Sequence, residues 1–374
     1  MKIGFDGKRA MNNNTGLGNY SRYVIEMLAK YDKNNEYLIY CYNYNKNSRL
    51  INIANKYNNI HLCLADKKIN SSLWRSFFIS NQLKKDNVDL YIGLSNELPL
   101  NIRKKHIKSA VVIHDLIYLT HKECYSFIDR IIYNYKYKHS CQNADIIIAI
   151  SESTKKDIIK YYNIPEQKIK VIYQGCDDIF KKESTLEEKT IVKSKYNLPN
   201  KYVLNVGSIE KRKNALLIVK AMVDLPKDIH LVIVGKRTEY TKDIESFAMK
   251  NNFNSRLHIL DNVEFNHLPT IYQMAEVFVY PSFYEGFGIP ILEAINCSIP
   301  VIAAKGSCLK EAGGDNCIYI NPNDSQNLKE MIEKVINDSQ LKQEMIMKSK
   351  DYIQKFSQDN LSKCFFDMIN QLHK

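Results

Sequence analysis

The feature that most constrains this chain is a unit repeated along most of its length: a short β-branched or apolar run, a turn, then an amphipathic helical stretch. That alternation is the signature of parallel-sheet α/β architecture. In the first half it predicts strands at Lys2 to Phe5, Tyr37 to Tyr42, His61 to Leu64, Leu90 to Gly93, Ser109 to Ile113, Asp145 to Ile150 and Lys170 to Ile172. Helices fall between them, at Tyr20 to Lys30, Ser72 to Lys85 and Ser153 to Tyr162, the last capped by Ser151 or Ser153. Cys176 to Asn200 is polar and strand-poor, and reads as an interdomain connection with at most a short helix. A second series follows at Tyr202 to Val206, His230 to Val234, Leu257 to Leu260, Val277 to Tyr280, Pro300 to Ala303 and Cys317 to Ile320.

At 374 residues the chain is too long for one ordinary core, so two doubly wound domains are expected, 1–175 and 176–355. Open parallel sheets bind ligands beyond the carboxyl ends of their strands, so the residues just after strands carry the information.

The N-terminal stretch lacks the apolar core of a signal peptide, and no run of about 18 apolar residues occurs. A cytoplasmic protein is expected. Nine cysteines without a C-x-x-C pair indicate neither a zinc site nor a disulfide framework. The net charge of +12 favours anionic partners, whether nucleic acid, a membrane surface or phosphorylated small molecules.

Four motifs follow strands. In "NNNTGLGNYSRYV", Gly16 and Gly18 open a helix whose N-terminus can receive a phosphate, or form only a turn. In "VVIHDLIYL", His114 and Asp115 end a strand, either as site residues or as a loop histidine with an N-capping aspartate. In "VGSIEKRKN", Gly207 and Ser208 precede Lys211, Arg212 and Lys213. Cations beside a helix N-terminus are unfavourable for the helix itself and make sense beside a bound anion. In "FYEGFGIPILEA", Glu285 and Glu293 flank a loop in which Gly286 and Gly288 let peptide N–H groups approach a ligand. The two carboxylates can grip a polyhydroxyl ligand, or be a loop glutamate and a first-turn helix glutamate.

Taken together these motifs resemble the family-4 retaining glycosyltransferases of the GT-B fold. "SFYEGFGIPILEA" matches their Glu-seven-residues-Glu signature and "VGSIEKRKN" their basic donor-phosphate motif, with "TGLGNY", "IHDL" and "SESTKKDI" in the family's order. The resemblance implies two Rossmann-like domains facing across a cleft, with 356–374 as a helix returning to the N-terminal, acceptor-binding domain. It implies that Glu293 holds the ribose hydroxyls of a nucleotide sugar, and that Glu285 with the backbone of Gly286, Phe287 and Gly288 holds the donor sugar. Arg212 and Lys213 would neutralise the departing diphosphate, Gly16 would bring N–H groups to it, Gly18 and Ser208 would complete the donor-binding loops, His114 would sit near the sugar and Val263 would meet the base. Ser208 stands where many relatives carry arginine, and Ser298 where a glycine is common.

The expected activity is therefore retaining, metal-independent hexosyl transfer from a nucleotide sugar, GDP-mannose first and a UDP-hexose next, to a glycan or lipid-linked saccharide in surface polysaccharide assembly. No cofactor, metal or nucleic-acid partner is expected, and no D-x-D pair is present to hold a divalent ion. A GT-B nucleotide-sugar epimerase and a non-catalytic nucleotide- or nucleic-acid-binding module are the alternatives. The Trp74 helix, aromatic and basic, is either buried with a polar outer face or lies peripherally on the inner membrane face.

Overall fold

The computed structural model describes residues 1–65 and 70–373. The chain divides into two compact units, Met1–Gly175 with Phe356–Lys374, and Cys176–Lys355.

Among the described residues, the first unit holds a seven-stranded parallel sheet: β1 (Lys2–Asp6), β2 (Glu36–Cys41), β3 (Ile60–Leu64), β4 (Leu90–Gly93), β5 (Lys108–Ile113), β6 (Ile146–Ala149) and β7 (Ile169–Val171). The strand order is β3-β2-β1-β4-β5-β6-β7. The central strands are apolar on both faces because helices cover both, and β4 and β6 are buried at every residue. The order reverses between β1 and β4, which opens a crevice at their carboxyl ends.

The second unit repeats the plan with β8 (Tyr202–Val206), β9 (His230–Val234), β10 (Leu257–Leu260), β11 (Val277–Tyr280), β12 (Val301–Ala304) and β13 (Ile318–Ile320), ordered β10-β9-β8-β11-β12-β13. Its reversal lies between β8 and β11. The loops that follow those two strands, from Gly207 and from Pro281, therefore flank one crevice.

Two local expectations change. The polar connection carries an 11-residue helix, Leu186–Tyr196, started by a capping box in which Thr185 and Glu188 satisfy each other's backbone N–H groups. Only Val192 of that helix is buried, so an apolar-periodicity reading had almost nothing to detect. The segment Ser72 to Lys85 is not one uniform helix: a π turn, Trp74–Phe78, separates Ser71–Leu73 from Ile79–Lys85. Trp74 is buried in the first unit's core beside Leu83 and Ile79, while Leu73, Phe77 and Phe78 are exposed, so the outer face is not simply polar.

The closing helix Gln358–His373 buries Leu361, Phe365, Met368 and Ile369, a stripe at helical spacing. It joins the first unit, where Lys30 Nζ donates to Gln358 Oε1 at 3.1 Å. Among the described residues no helix is long and apolar enough to cross a membrane.

Candidate functional site

In the second unit the two crevice loops are stitched together. After β8, Lys211–Lys213 form one 3-10 turn, and Asn214, in the left-handed region at φ 59, caps the helix Ala215–Met222. The Asn214 amide donates to the carbonyls of Pro281 at 3.2 Å and Pro322 at 2.7 Å. Phe283 N donates to Arg212 O at 2.9 Å, and Arg212 Nη1 returns a bond to Tyr284 O at 2.5 Å. The basic turn is thus fixed against the glycine loop by the protein's own hydrogen bonds.

Its charges meet at one carboxylate. Glu285 Oε1 lies 3.0 Å from Arg212 Nη1 and 2.6 Å from Lys213 Nζ, and accepts from the Tyr280 hydroxyl at 3.0 Å. Lys213 Nζ also donates to that hydroxyl at 2.6 Å, so Tyr280, the last residue of β11, bridges cation and anion. Burial alone pushes the Glu285 carboxyl up, but the Lys213 and Arg212 charges outweigh it and hold the group down at about 2. Glu285 is therefore ionised at neutral pH and has no proton to give. Two cations thus flank this carboxylate, and a second, more exposed carboxylate, Glu210, lies 3.5 Å from Arg212 Nη2.

Gly288 ends the loop at φ 113, a conformation that favours glycine, and the helix Ile289–Asn296 follows with Pro290 in its first turn. The buried Cys308 thiol holds the loop from beneath, its Sγ 3.0 Å from Glu285 O and 3.1 Å from Phe287 O. Glu293 lies one turn into that helix and, among the described residues, forms no ion pair with Arg212 or Lys213. It is partly buried, and its Oε2 accepts from the Tyr272 hydroxyl at 2.8 Å. Burial pushes its carboxyl up to about 7, against the lowering hydrogen bond from Tyr272. The two glutamates thus occupy opposite electrostatic environments.

Ser208 Oγ donates to Glu210 Oε1 at 2.7 Å, and Glu210 Oε2 in turn lies 3.5 Å from Arg212 Nη2. Val263 follows β10, two strands from β8, after Asn262 at φ 60. Arg212, Lys213, Glu285 and the glycine loop are brought together; Glu293 and Val263 lie outside that cluster.

In the first unit, Gly16 opens the helix Gly16–Tyr31 with nothing within 4 Å of where a Cβ would stand. At Gly18 a Cβ would lie 1.8 Å from Asn13 O, so that position admits only glycine without a backbone shift. Asn13 Oδ1 accepts from Thr15 N at 2.9 Å and Gly18 N at 3.1 Å, and the buried Arg22 donates to the carbonyls of Ala10 and Asn13 at 2.8 Å each. His114 is buried. Its Nε2 lies 2.8 Å from Leu94 O, which can only accept, so Nε2 carries the proton and Nδ1 accepts from Gln174 Nε2 at 3.1 Å. Burial lowers its pKa to about 4, so the ring is neutral with both nitrogens engaged. A proton-shuttle role requires one of those bonds to open.

Tyr280, Tyr272, Asn214, Cys308, Arg22 and Gln174 escape the sequence reading. Only Tyr280 carried a usable signal, as a polar tip at the carboxyl end of a strand. A further network sits at the first unit's own strand reversal: Arg75 reaches Asp6 Oδ2 at 2.9 Å through Nε and Glu97 Oε2 at 3.6 Å, and Lys136 meets Glu97 Oε2 at 3.3 Å. Among the described residues no group of His, Cys, Asp and Glu side chains is arranged to hold a metal ion.

Two family models match this chain: "Glycosyltransferase Family 4" over residues 15–179 and "Glycosyl transferases group 1" over residues 187–352. The chain is a family-4 glycosyltransferase of the GT-B fold. This glycosyltransferase is 29% identical over 287 residues to O-antigen chain mannosyltransferase B of Escherichia coli, covering 75% of this chain and 73% of the relative. It is 28% identical over 251 residues to O-antigen chain mannosyltransferase RfbU of Salmonella typhimurium, covering 67% and 66%. Against the serotype-specific mannosyltransferase WbdA of Escherichia coli it is 29% identical over 276 residues, covering 71% of this chain and 34% of that longer protein. Among solved structures, the glycosyltransferase of Rickettsia africae superposes with a TM-score of 0.77 at 19% identity, covering 100% and 98% of the two chains. Anabaena HepE in complex with UDP-glucose superposes with a TM-score of 0.78 at 16% identity, covering 99% and 100%. These two likenesses establish the fold.

Proposed function

We propose that this glycosyltransferase moves a mannosyl group from GDP-mannose to a glycan or lipid-linked saccharide during surface polysaccharide assembly, with retention at the anomeric carbon and without a metal ion. The observation that carries the reading is the Arg212–Lys213–Glu285–Tyr280 cluster at the β8/β11 reversal, which fixes two cations beside a glycine loop. The mannosyltransferase relatives support the sugar. A UDP-hexose is the next donor, in view of the UDP-glucose complex of Anabaena HepE.

Departure of a nucleoside diphosphate builds negative charge on phosphate and an oxocarbenium-like sugar. Fixed cations then stabilise the transition state more than the ground state. Arg212 offers a planar fork to phosphate oxygens and Lys213 a point charge. Glu285, ionised, accepts sugar hydroxyls with the peptide groups of Gly286, Phe287 and Gly288, and Glu293 takes the ribose hydroxyls once it has lost its proton. Ser208 tunes Arg212 through Glu210, and Val263 supplies the base contact. Gly16, Gly18 and His114 enter as donor contacts of the first unit, His114 as a neutral group. The acceptor hydroxyl attacks on the face the diphosphate leaves, and the departing phosphate takes its proton. The reading assigns the enzyme to the cytoplasm.

The test is a thermal-shift screen against UDP-, GDP- and dTDP-sugars. GDP-mannose raises the melting temperature most, because a ligand bound only to the native state stabilises it. No shift with any nucleotide sugar overturns the donor reading, and inversion in the product's NMR spectrum overturns retention.

A further inference from the structure

The helix Phe127–Asn143 carries an apolar face that the first unit does not cover. Phe127, Ile128, Ile131, Ile132 and Tyr135 recur at i, i+1, i+4, i+5 and i+8, which is one contiguous side of a helix, and each is between 44% and 71% exposed. The opposite side is anchored: Ser140 and Cys141 are buried, and Ser140 Oγ accepts from Leu98 N at 2.9 Å. Isolated apolar residues on a surface need no explanation; five large ones on two and a half turns do.

Cations lie at both ends of this helix and on it. Lys138 is exposed, three residues beyond Tyr135 on the same side, and Lys122 is exposed just before the helix. At the helix's C-terminal end Lys168 Nζ donates to Gln142 O at 2.8 Å, and Arg103 stands close enough to lower the Lys168 ammonium, after the larger effect of burial. Arg103 begins a basic turn with Lys104 and Lys105. The nearby acids other than Glu123 are engaged: Asp129 is tied into the N-cap by Ser126 at 2.7 Å, Glu97 lies 3.3 Å from Lys136, and Asp145, which also acts on Lys168, accepts from Ser109 N at 2.7 Å.

We propose that this face docks on an anionic lipid bilayer, the helix lying in the plane of the interface with its five apolar side chains below the headgroups. An apolar stripe bearing Phe and Tyr, flanked by Lys and Arg, has the composition of an interfacial helix. The charge pattern favours phospholipid over a second copy of the chain, because a self-paired face would bring like cations together, whereas each cation near an anionic leaflet adds about fivefold to binding. The proposal rests on the first unit's fold and not on the donor reading. It also moves the membrane contact from Trp74, which is buried, to a different helix.

Vesicle co-sedimentation of the full chain tests it, with Ile128→Asp/Ile131→Asp as the variant and its thermal melt as the folding control. The expected result is binding to phosphatidylcholine vesicles containing about three-tenths phosphatidylglycerol. Pure phosphatidylcholine and the variant each bind at least roughly tenfold more weakly, and added salt weakens the native protein. The proposal falls if the native chain stays in the supernatant or if the folded variant binds as the native chain does. It also falls if light scattering shows a dimer that the variant abolishes while vesicle binding is unchanged. A thermal shift with nucleotide sugar that is equal in native and variant protein separates this outcome from any failure of the donor reading.

Discussion

Glu293→Gln is expected to stabilise the protein while weakening donor binding, and the size of the first effect follows from the site. The folded carboxyl titrates at about 7 against the ordinary 4.5, because burial disfavours its charge. A shift of that size corresponds to about 3.4 kcal/mol, and solvent reaching the partly buried side chain brings it to about 2 kcal/mol. The sign is fixed by proton counting. The folded state keeps a proton that the unfolded state has released, so stability falls as pH rises from about 4.5 to 7 and levels off above that. Glutamine retains a partner for the Tyr272 hydroxyl and carries no charge to bury.

Urea unfolding at pH 5, 6, 7 and 8 measures the difference. The variant should match the native protein near the acid end and exceed it by about 2 kcal/mol at the alkaline end. Calorimetric titration with GDP-mannose should show weaker binding by the variant, and tighter native binding as pH rises through about 7, since a carboxylate accepts hydroxyl hydrogen bonds that a carboxylic acid shares. Parallel stability curves for the two proteins across this range would refute the reasoning, as would a variant less stable at pH 8.

Arg212→Ala should lower turnover by about 100-fold with a smaller change in donor dissociation constant, because its charge matters most when the phosphate leaves; steady-state kinetics beside calorimetry separate the two. Tyr280→Phe removes the hydroxyl shared by Lys213 and Glu285 and should cost about 1–3 kcal/mol in chemical denaturation. The glycines of the first helix should respond oppositely in thermal melts. Gly16→Ala, with open space at its Cβ, should leave stability nearly unchanged, whereas Gly18→Ala drives a methyl into Asn13 O and should cost about 2 kcal/mol or more.

All thirteen described strands were legible in the sequence to within a residue or two, because the central ones, covered on both faces, are apolar throughout and the edge strands, though less buried, are apolar or β-branched runs bounded by turns. The Leu186–Tyr196 helix was not legible by periodicity, since one buried valine cannot make a stripe, although Thr185 and Glu188 spelled its start. The exposed apolar helix Phe127–Asn143 was missed for the opposite reason: its outward face is as hydrophobic as its inward one, so the contrast that reveals an amphipathic helix is small. At the site, motifs named Arg212, Lys213 and Glu285, but not that they bind one another. That pairing depends on which loops the strand order brings to one crevice, and strand order is a long-range property.

The pairing also decides between readings of the two glutamates. An acid/base pair needs one group protonated and one ionised within reach of the same reacting atom. Near pH 7 Glu285 is ionised and Glu293 about half protonated, yet the first is held by two cations and Tyr280 and the second is bound to Tyr272. Bringing Glu285 to Glu293 would remove an ionised, buried carboxylate from its partners, at a cost of about 3–5 kcal/mol. In the proposed reading a ligand phosphate displaces the more exposed Glu210, 3.5 Å from Arg212 Nη2, more readily than Glu285, which Arg212, Lys213 and Tyr280 all hold. What reaches this crevice as an anion is therefore met by cations already oriented, and the carboxylate between them keeps their side chains in place until it does.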